Sequence, residues 1–140
     1  MNDLDLTPLR SKWELVKSER GKTWTVAETF TVTAKDGRKL TVPAGFVHDR
    51  FSIAPDCNDN RAAATHDFAY TKAASGRRWD DGSKITKGDA DNLMRYLMEQ
   101  SDDSQARERA AQYYHFVRWY GWKAWITGTW RSVRESVEDI

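Results

Sequence analysis

The stretch TWTVAETFTVTAKDGRKLTV, residues 23–42, decides the first half of the fold. From residue 23 to residue 33, apolar and polar side chains alternate with a period of two, which is typical of a strand buried on one face. Asp36-Gly37 then predicts a hairpin turn, because glycine readily adopts the positive φ angle that such turns need. Residues 38–42 are predicted to return as an antiparallel strand, and residues 13–17 to add a short first strand.

The segments after residue 55 have the pattern of helices. A first helix is predicted over residues 58–74, and an exposed loop over residues 75–83. A second helix begins at Thr86, since Thr86 and Asp89 fit a capping box. A third is expected from about Gln105 to Trp125 or beyond. Because the strands precede the helices, the sequence predicts an α+β fold, with a small antiparallel N-terminal sheet followed by about three helices packed on it.

Length and composition limit the class of protein. The chain has 140 residues and a net charge of +1, which favours a single domain over residues 1–140, mainly β and loop to residue 55 and mainly α from residue 56. Charges of both signs are dispersed, so no nucleic-acid partner is expected. The sequence contains no run of about 18 apolar residues, so no membrane span is predicted. The single Cys57 and the lack of a visible secretory signal favour a reducing cytoplasm.

Two ionisable groups lie close together in the sequence. The segment TVPAGFVHDRFSIAP, residues 41–55, contains Asp49 in a loop punctuated by proline and glycine. About ten residues later, the segment ATHDFAY places His66 and Asp67 in an alanine-rich helix. Both groups are set among apolar residues, so we expect Asp49 to meet the His66-Asp67 helix at one pocket.

Four blocks of sequence follow one another in order: VPAGFVHDRFSIAP at 42–55, HDFAY at 66–70, Ala90-Asp91, and VRWYGWKAW at 117–125. Together they resemble domain-of-unknown-function family 1353, which is found mainly in bacteriophages and prophages. The resemblance implies a phage-type protein that is made in the host cytoplasm and acts either in association with a virion or tail or as a host-directed accessory factor. It also singles out Asp91, which we expect to face the same cluster as His66. It implies no activity.

The acidic residues and the histidine admit two interpretations. In the first, Asp49, His66 and Asp67 join Asp91 around a divalent Mg, Mn or Zn ion that activates water, since carboxylate and imidazole groups suit these ions. Catalysis would then fall to Asp49, His66 and Asp67. In the second, the carboxylates accept backbone hydrogen bonds that pin the loop to the helix, and His66 is a core histidine. Adjacent residues point about 100° apart on a helix, so His66 and Asp67 are not an i, i+4 metal pair.

The C-terminal segment is crowded with aromatic residues. Helical spacing predicts an inner side on the sheet, formed by Phe116, Trp119, Ile126 and Trp130. Tyr114, Trp122 and Trp125 fall toward the opposite side, which packs within the monomer or against a partner. We expect Trp122 and Trp125 to form a protein interface. A membrane surface is disfavoured because the polar face of such a helix is poorly defined.

Two classes of function follow from the sequence. One is a non-enzymatic binding protein, either a virion- or tail-associated component or a host-directed accessory factor, that acts through a protein partner or by self-association. The alternative is a small metal-dependent hydrolase that uses Asp49, His66, Asp67 and Asp91.

Overall fold

The strands form two small antiparallel sheets. The computed structural model describes residues 15–17, 24–48, 60–72 and 76–128. The first sheet has the order β1-β2-β5, and the second pairs β3 with β4. The strands are β1 (Leu15–Lys17), β2 (Trp24–Val26), β3 (Phe30–Thr33), β4 (Lys39–Val42) and β5 (Val47–His48).

The predicted hairpin at Asp36-Gly37 is confirmed. Gly37 has a φ of +92°, and its N–H donates to the carbonyl of Ala34 at 2.9 Å. The turn sets a register in which Val32 pairs with Leu40. Both side chains are buried, so the alternation read from the sequence does place this face of the hairpin in the core.

The single strand predicted over residues 23–33 is wrong, because the chain bends between β2 and β3 and passes from one sheet to the other. At the bend, the Thr29 hydroxyl accepts a hydrogen bond from the Ala44 N–H at 2.9 Å. Strand β5 was not expected, since its residues read as loop. It forms because Gly45, with a φ of +90°, turns the chain back so that Val26 donates to Phe46 and accepts from Gly45.

Four helices follow in the described part of the chain, which confirms the α+β class. They are α1 (Asn60–Tyr70), α2 (Lys87–Glu99), α3 (Ser104–Tyr120) and α4 (Trp122–Thr127). The predicted capping box is confirmed: Thr86 accepts from the Asp89 N–H, and the Asp89 carboxylate accepts from the Thr86 N–H. None of the described helices is long and apolar enough to cross a bilayer.

The predicted third helix is interrupted at Gly121, and its inner side differs from the prediction. Trp119 is 78% exposed and Ile126 is 65% exposed, so neither packs on a sheet. Trp130 lies outside the described residues. The buried residues of α3 and α4 are instead mostly small. Their small volume leaves room in the core for the large Leu and Met side chains of α2, so that the helices can interdigitate. The buried residues are Ala106, Ala110, Tyr113, Val117 and Ala124.

The loop between α1 and α2 was predicted to be exposed, but the side chain of Trp79 within it is only 2% exposed. The loop attaches to the edge of β4. Asp80 donates its N–H to the Lys39 carbonyl at 2.9 Å, and its carboxylate accepts from the Thr41 N–H and hydroxyl at 2.9 and 2.6 Å. These bonds fix the loop so that the Trp79 ring fills the core.

Candidate functional site

A buried carboxylate, Asp91, is the centre of the most polar cluster in the described interior. Its side chain is 0% exposed. Oδ1 lies 2.7 Å from His66 Nε2 and accepts from the Tyr70 hydroxyl at 2.5 Å. Oδ2 accepts from Lys87 Nζ at 2.8 Å and from Arg118 Nη1 at 3.1 Å. These five residues are called the Asp91 cluster below.

Helical spacing accounts for four members of the Asp91 cluster. His66 and Tyr70 are four residues apart on α1, and Lys87 and Asp91 are four apart on α2. Residues at i and i+4 share one face of a helix, so each helix presents a pair to the other. The fifth member, Arg118, comes from the last turn of α3. The cluster therefore joins three helices.

Lys87 links the cluster to the end of α3. Besides Asp91, its ammonium donates to the Val117 carbonyl at 2.8 Å and lies 5.0 Å from the centre of the Trp122 ring. The Val117 carbonyl also accepts from the Gly121 N–H, and carbonyl oxygens at the end of a helix carry a partial negative charge that attracts cations. Lys87 is only 4% exposed, so these contacts take the place of water around its charge.

The motif VRWYGWKAW closes over the Asp91 cluster, and Gly121 makes the approach possible. A Cβ atom at Gly121 would lie 2.9 Å from the Tyr70 hydroxyl and closer still to the Val117 carbonyl oxygen. Both distances are too short for a side chain. Farther along, Trp125 meets the Tyr70 ring edge-on with centroids 5.2 Å apart. The glycine is thus needed for close packing, and the motif has a structural explanation.

Arg77 holds Trp125 in place. Its guanidinium lies 3.5 Å from the centre of the Trp125 ring and donates to the carbonyls of Trp125 and Tyr70. The backbone of Arg77 has a φ of +55°, a conformation that costs energy for a residue with a side chain. Trp125 is therefore half-buried by contacts within the chain.

The charges of the cluster shift the pKa values of its members. Burial alone would raise the pKa of Asp91, but hydrogen bonds and charge from His66, together with Lys87 and Tyr70, outweigh it and lower that pKa to about 2. Burial, followed by the Asp91 charge, raises the pKa of the Tyr70 hydroxyl. Burial also lowers the pKa of Lys87, although Asp91 opposes this. Asp91 is thus an anion held by donors.

Acid is expected to remove the stabilisation that Asp91 provides. Its pKa is about 2 in the folded protein against an ordinary 3.8, so the unfolded chain binds the proton more tightly. The contribution, about 2 kcal/mol at about 1.4 kcal/mol per pKa unit, is complete above pH 3.8 and is lost as the pH falls to about 2. Denaturant unfolding across this range measures it. Asp91→Asn is the control, and an identical pH dependence in both proteins would contradict the assignment.

The structure brings some of the predicted site residues together. The expected contact between Asp91 and His66 is present. Asp67 is half-buried on α1, and its carbonyl accepts from the Thr71 hydroxyl. Asp49 lies outside the described residues, so its expected contact with α1 stays a prediction. Tyr70, Lys87 and Arg118 were not predicted as cluster members, although the i, i+4 pairs on α1 and α2 were a signal that could have found two of them.

The two tryptophans predicted to form a protein interface differ in exposure. Trp122 is 53% exposed, whereas Trp125 packs against Tyr70 and Arg77. A role for Trp122 and Trp125 in binding a protein stays a prediction, and the geometry favours Trp122.

Asp91 is poorly suited to the predicted metal site. Its two oxygens are already occupied by four donors, and two of these, Lys87 and Arg118, are cations that would repel a divalent ion. Within the described residues, no group of three or more His, Cys, Asp or Glu side chains is placed to hold a metal. Binding of Mg, Mn or Zn by the predicted set of Asp49, His66, Asp67 and Asp91 stays a prediction, and Asp49 lies outside the described residues.

Comparison with known proteins identifies a family. A family model described as "Protein of unknown function (DUF1353)" matches residues 24–116. The match runs from β2 into α3, and it includes every member of the Asp91 cluster except Arg118. No curated protein and no solved structure matches the chain significantly.

Proposed function

The chain belongs to the DUF1353 family of proteins of unknown function, and from that premise we propose that it is a small hydrolase in which His66, oriented by Asp91, activates water. The observation that carries the proposal is the buried bond of 2.7 Å between His66 Nε2 and Asp91 Oδ1. An ionised carboxylate can only accept hydrogen bonds, so Nε2 carries the hydrogen that it donates to Asp91, and Nδ1 is the nitrogen that serves as the base in this proposal.

The reaction follows from this tautomer. Nδ1 of His66 takes a proton from water while the water oxygen adds to the electrophilic atom of an ester. The bond from that atom to the leaving oxygen then breaks, and the proton passes from Nδ1 to the leaving oxygen. Asp91 stabilises the imidazolium that forms in between, as a carboxylate does in hydrolytic triads. Tyr70 and Lys87 hold the carboxylate in place. A buried charge network of this kind costs desolvation energy, and perturbed groups of this kind cluster at functional sites.

A divalent ion, if bound, would be held by Asp67 together with Asp49, which lies outside the described residues. Asp91 is excluded by the charges of Lys87 and Arg118. The ion, Mg, Mn or Zn, would polarise the substrate oxygen or lower the pKa of the attacking water. Hydrolysis assays with a chelator, and after adding back each metal, decide whether this part of the proposal holds.

The central test is a pair of matched histidine substitutions. His66→Gln keeps an N–H donor for Asp91 but removes the base, so we expect hydrolysis of chromogenic carboxylic and phosphoric esters to fall by about 10²–10⁴-fold. His115 is exposed on α3, and His115→Gln is expected to retain the wild-type rate. Thermal unfolding of both variants separates loss of activity from loss of fold. Equal rates in the wild type and a folded His66→Gln variant would refute the proposal.

A second candidate is the non-enzymatic binding protein, with the virion or tail association and host cytoplasmic synthesis that the resemblance to phage proteins implies. The observation that favours it is burial, because His66 is 4% exposed and Tyr70 and Asp91 are 0% exposed. On this interpretation the Asp91 cluster only ties three helices together. A folded His66→Gln variant would then keep every function of the protein.

A further inference from the structure

The outer side of α3 and α4 carries four large exposed side chains, called here the outer aromatic surface. Their exposed fractions are 78% for Trp119, 64% for Tyr120, 53% for Trp122 and 65% for Ile126. Large apolar side chains exposed together mark interaction sites more often than scattered ones do. The surface is therefore a candidate for binding.

The break at Gly121 does not separate the members of this surface. Gly121 N donates to the Val117 carbonyl at 2.9 Å, and Trp125 N donates to the Gly121 carbonyl at 2.8 Å. These are i to i−4 bonds, so the helical phase continues across the break. Trp119, Trp122 and Ile126, at spacings of three and four, consequently lie on one face. The buried Val117 and Ala124 lie on the other.

Along residues 118–126, which carry the outer aromatic surface, the charged side chains are cationic. Between Glu108 and Glu135 the sequence contains no acidic residue. In the described structure, Lys123 is exposed on α4, and Lys72 reaches the Ile126 carbonyl with its ammonium at 2.9 Å. Arg118, which also donates to Asp91, is partly exposed. The surface thus combines aromatic and aliphatic groups with cations. The sequence alone did not define a polar face for this aromatic helix. In the folded chain, these cations supply one.

We propose that the outer aromatic surface docks on the surface of an anionic lipid bilayer. Tryptophan and tyrosine place an apolar ring and a polar group at the boundary between acyl chains and headgroups. Lysine and arginine are attracted to anionic headgroups, and a helix with this composition lies in the plane of the interface. A second copy of the chain fits less well, because the cations of both copies would meet. Nucleic acid fits less well because large apolar groups dominate the surface.

This docking does not depend on whether His66 is catalytic, and vesicle binding tests it directly. The full chain is expected to co-sediment with vesicles of equimolar phosphatidylcholine and phosphatidylglycerol but not with phosphatidylcholine alone, and to release them as salt is raised. Trp119→Ala and Ile126→Ala together should weaken this binding by about tenfold or more. Lys123→Glu should also weaken it. The matched control is Val47→Ala, because Val47 is 52% exposed but lies on β5.

Three outcomes would overturn the docking proposal. One is the absence of binding to the anionic vesicles by the folded wild type. Another is binding that the Trp119→Ala, Ile126→Ala variant retains in full while its thermal unfolding is unchanged. The third is self-association without vesicles that the same variant abolishes, measured by light scattering, since the surface would then be an interface between copies of the chain.

Discussion

Replacement of Asp91 by Leu is expected to lower the free energy of unfolding by about 3–5 kcal/mol, which is the usual cost of removing one partner from a buried ion pair. The loss is large because the hydrogen-bonding partners that Asp91 leaves behind are buried. Lys87 is 4% exposed and Tyr70 is 0% exposed, so neither can turn to water when the carboxylate is gone. Urea unfolding of the variant, followed by circular dichroism, measures the loss.

Two controls test whether the destabilisation comes from removing the buried charge of Asp91 or from replacing an aspartate on α2 in general. Asp89→Ala, on the same helix, removes a capping interaction and should cost only about 1 kcal/mol. Lys87→Met combined with Asp91→Leu should be less destabilising than Asp91→Leu alone, because the unpaired ammonium is also removed. An Asp91→Leu protein as stable as Asp89→Ala would show that the Asp91 cluster contributes little to the fold.

Trp79→Ala is expected to have an effect of similar size, about 3–5 kcal/mol, by leaving a cavity in the core. Trp79 is 2% exposed and is part of the core cluster with Leu40 and Leu93. The Arg38 guanidinium lies 4.4 Å from the centre of its ring, so the substitution also removes a cation–π contact. Chemical denaturation is the measurement.

The matched control for Trp79→Ala is the same substitution at Trp119. Trp119 is 78% exposed, so its replacement should change the free energy of unfolding by no more than about 0.5 kcal/mol. Similar destabilisation by both substitutions would contradict the assignment of one ring to the core and the other to the surface.

Local sequence signals were sufficient where the interaction is local. Gly37 predicted its turn because the requirement for a positive φ concerns only its own backbone. Thr86 and Asp89 predicted the start of α2 because the two groups of a capping box are three residues apart. The period-two pattern likewise placed Val32 correctly in the core.

The candidate site was predicted only in part, because its geometry is not local. The resemblance singled out His66 and Asp91, which are 25 residues apart and do meet. The sequence did not indicate that Lys87 and Arg118 would donate hydrogen bonds to Oδ2, the oxygen of Asp91 that does not contact His66. A lysine in the first turn of a helix is expected to be solvated, and its burial depends on how the end of α3 covers it. The two cations beside Asp91 argue against it as a metal ligand, and the spacing of residues in the sequence could not reveal them.

The sequence by itself determined the α+β class, the hairpin and the start of α2, since these depend on backbone conformation and on contacts a few residues apart. The tertiary structure alone decided which tryptophans are inside. Ring size favours burial equally for Trp79, Trp119 and Trp125, so composition and helical spacing could not rank them. Close packing of α3 required small residues such as Ala106 and Ala110 on its inner face, and this requirement turned Trp119 outward while a loop attached to β4 carried Trp79 into the core.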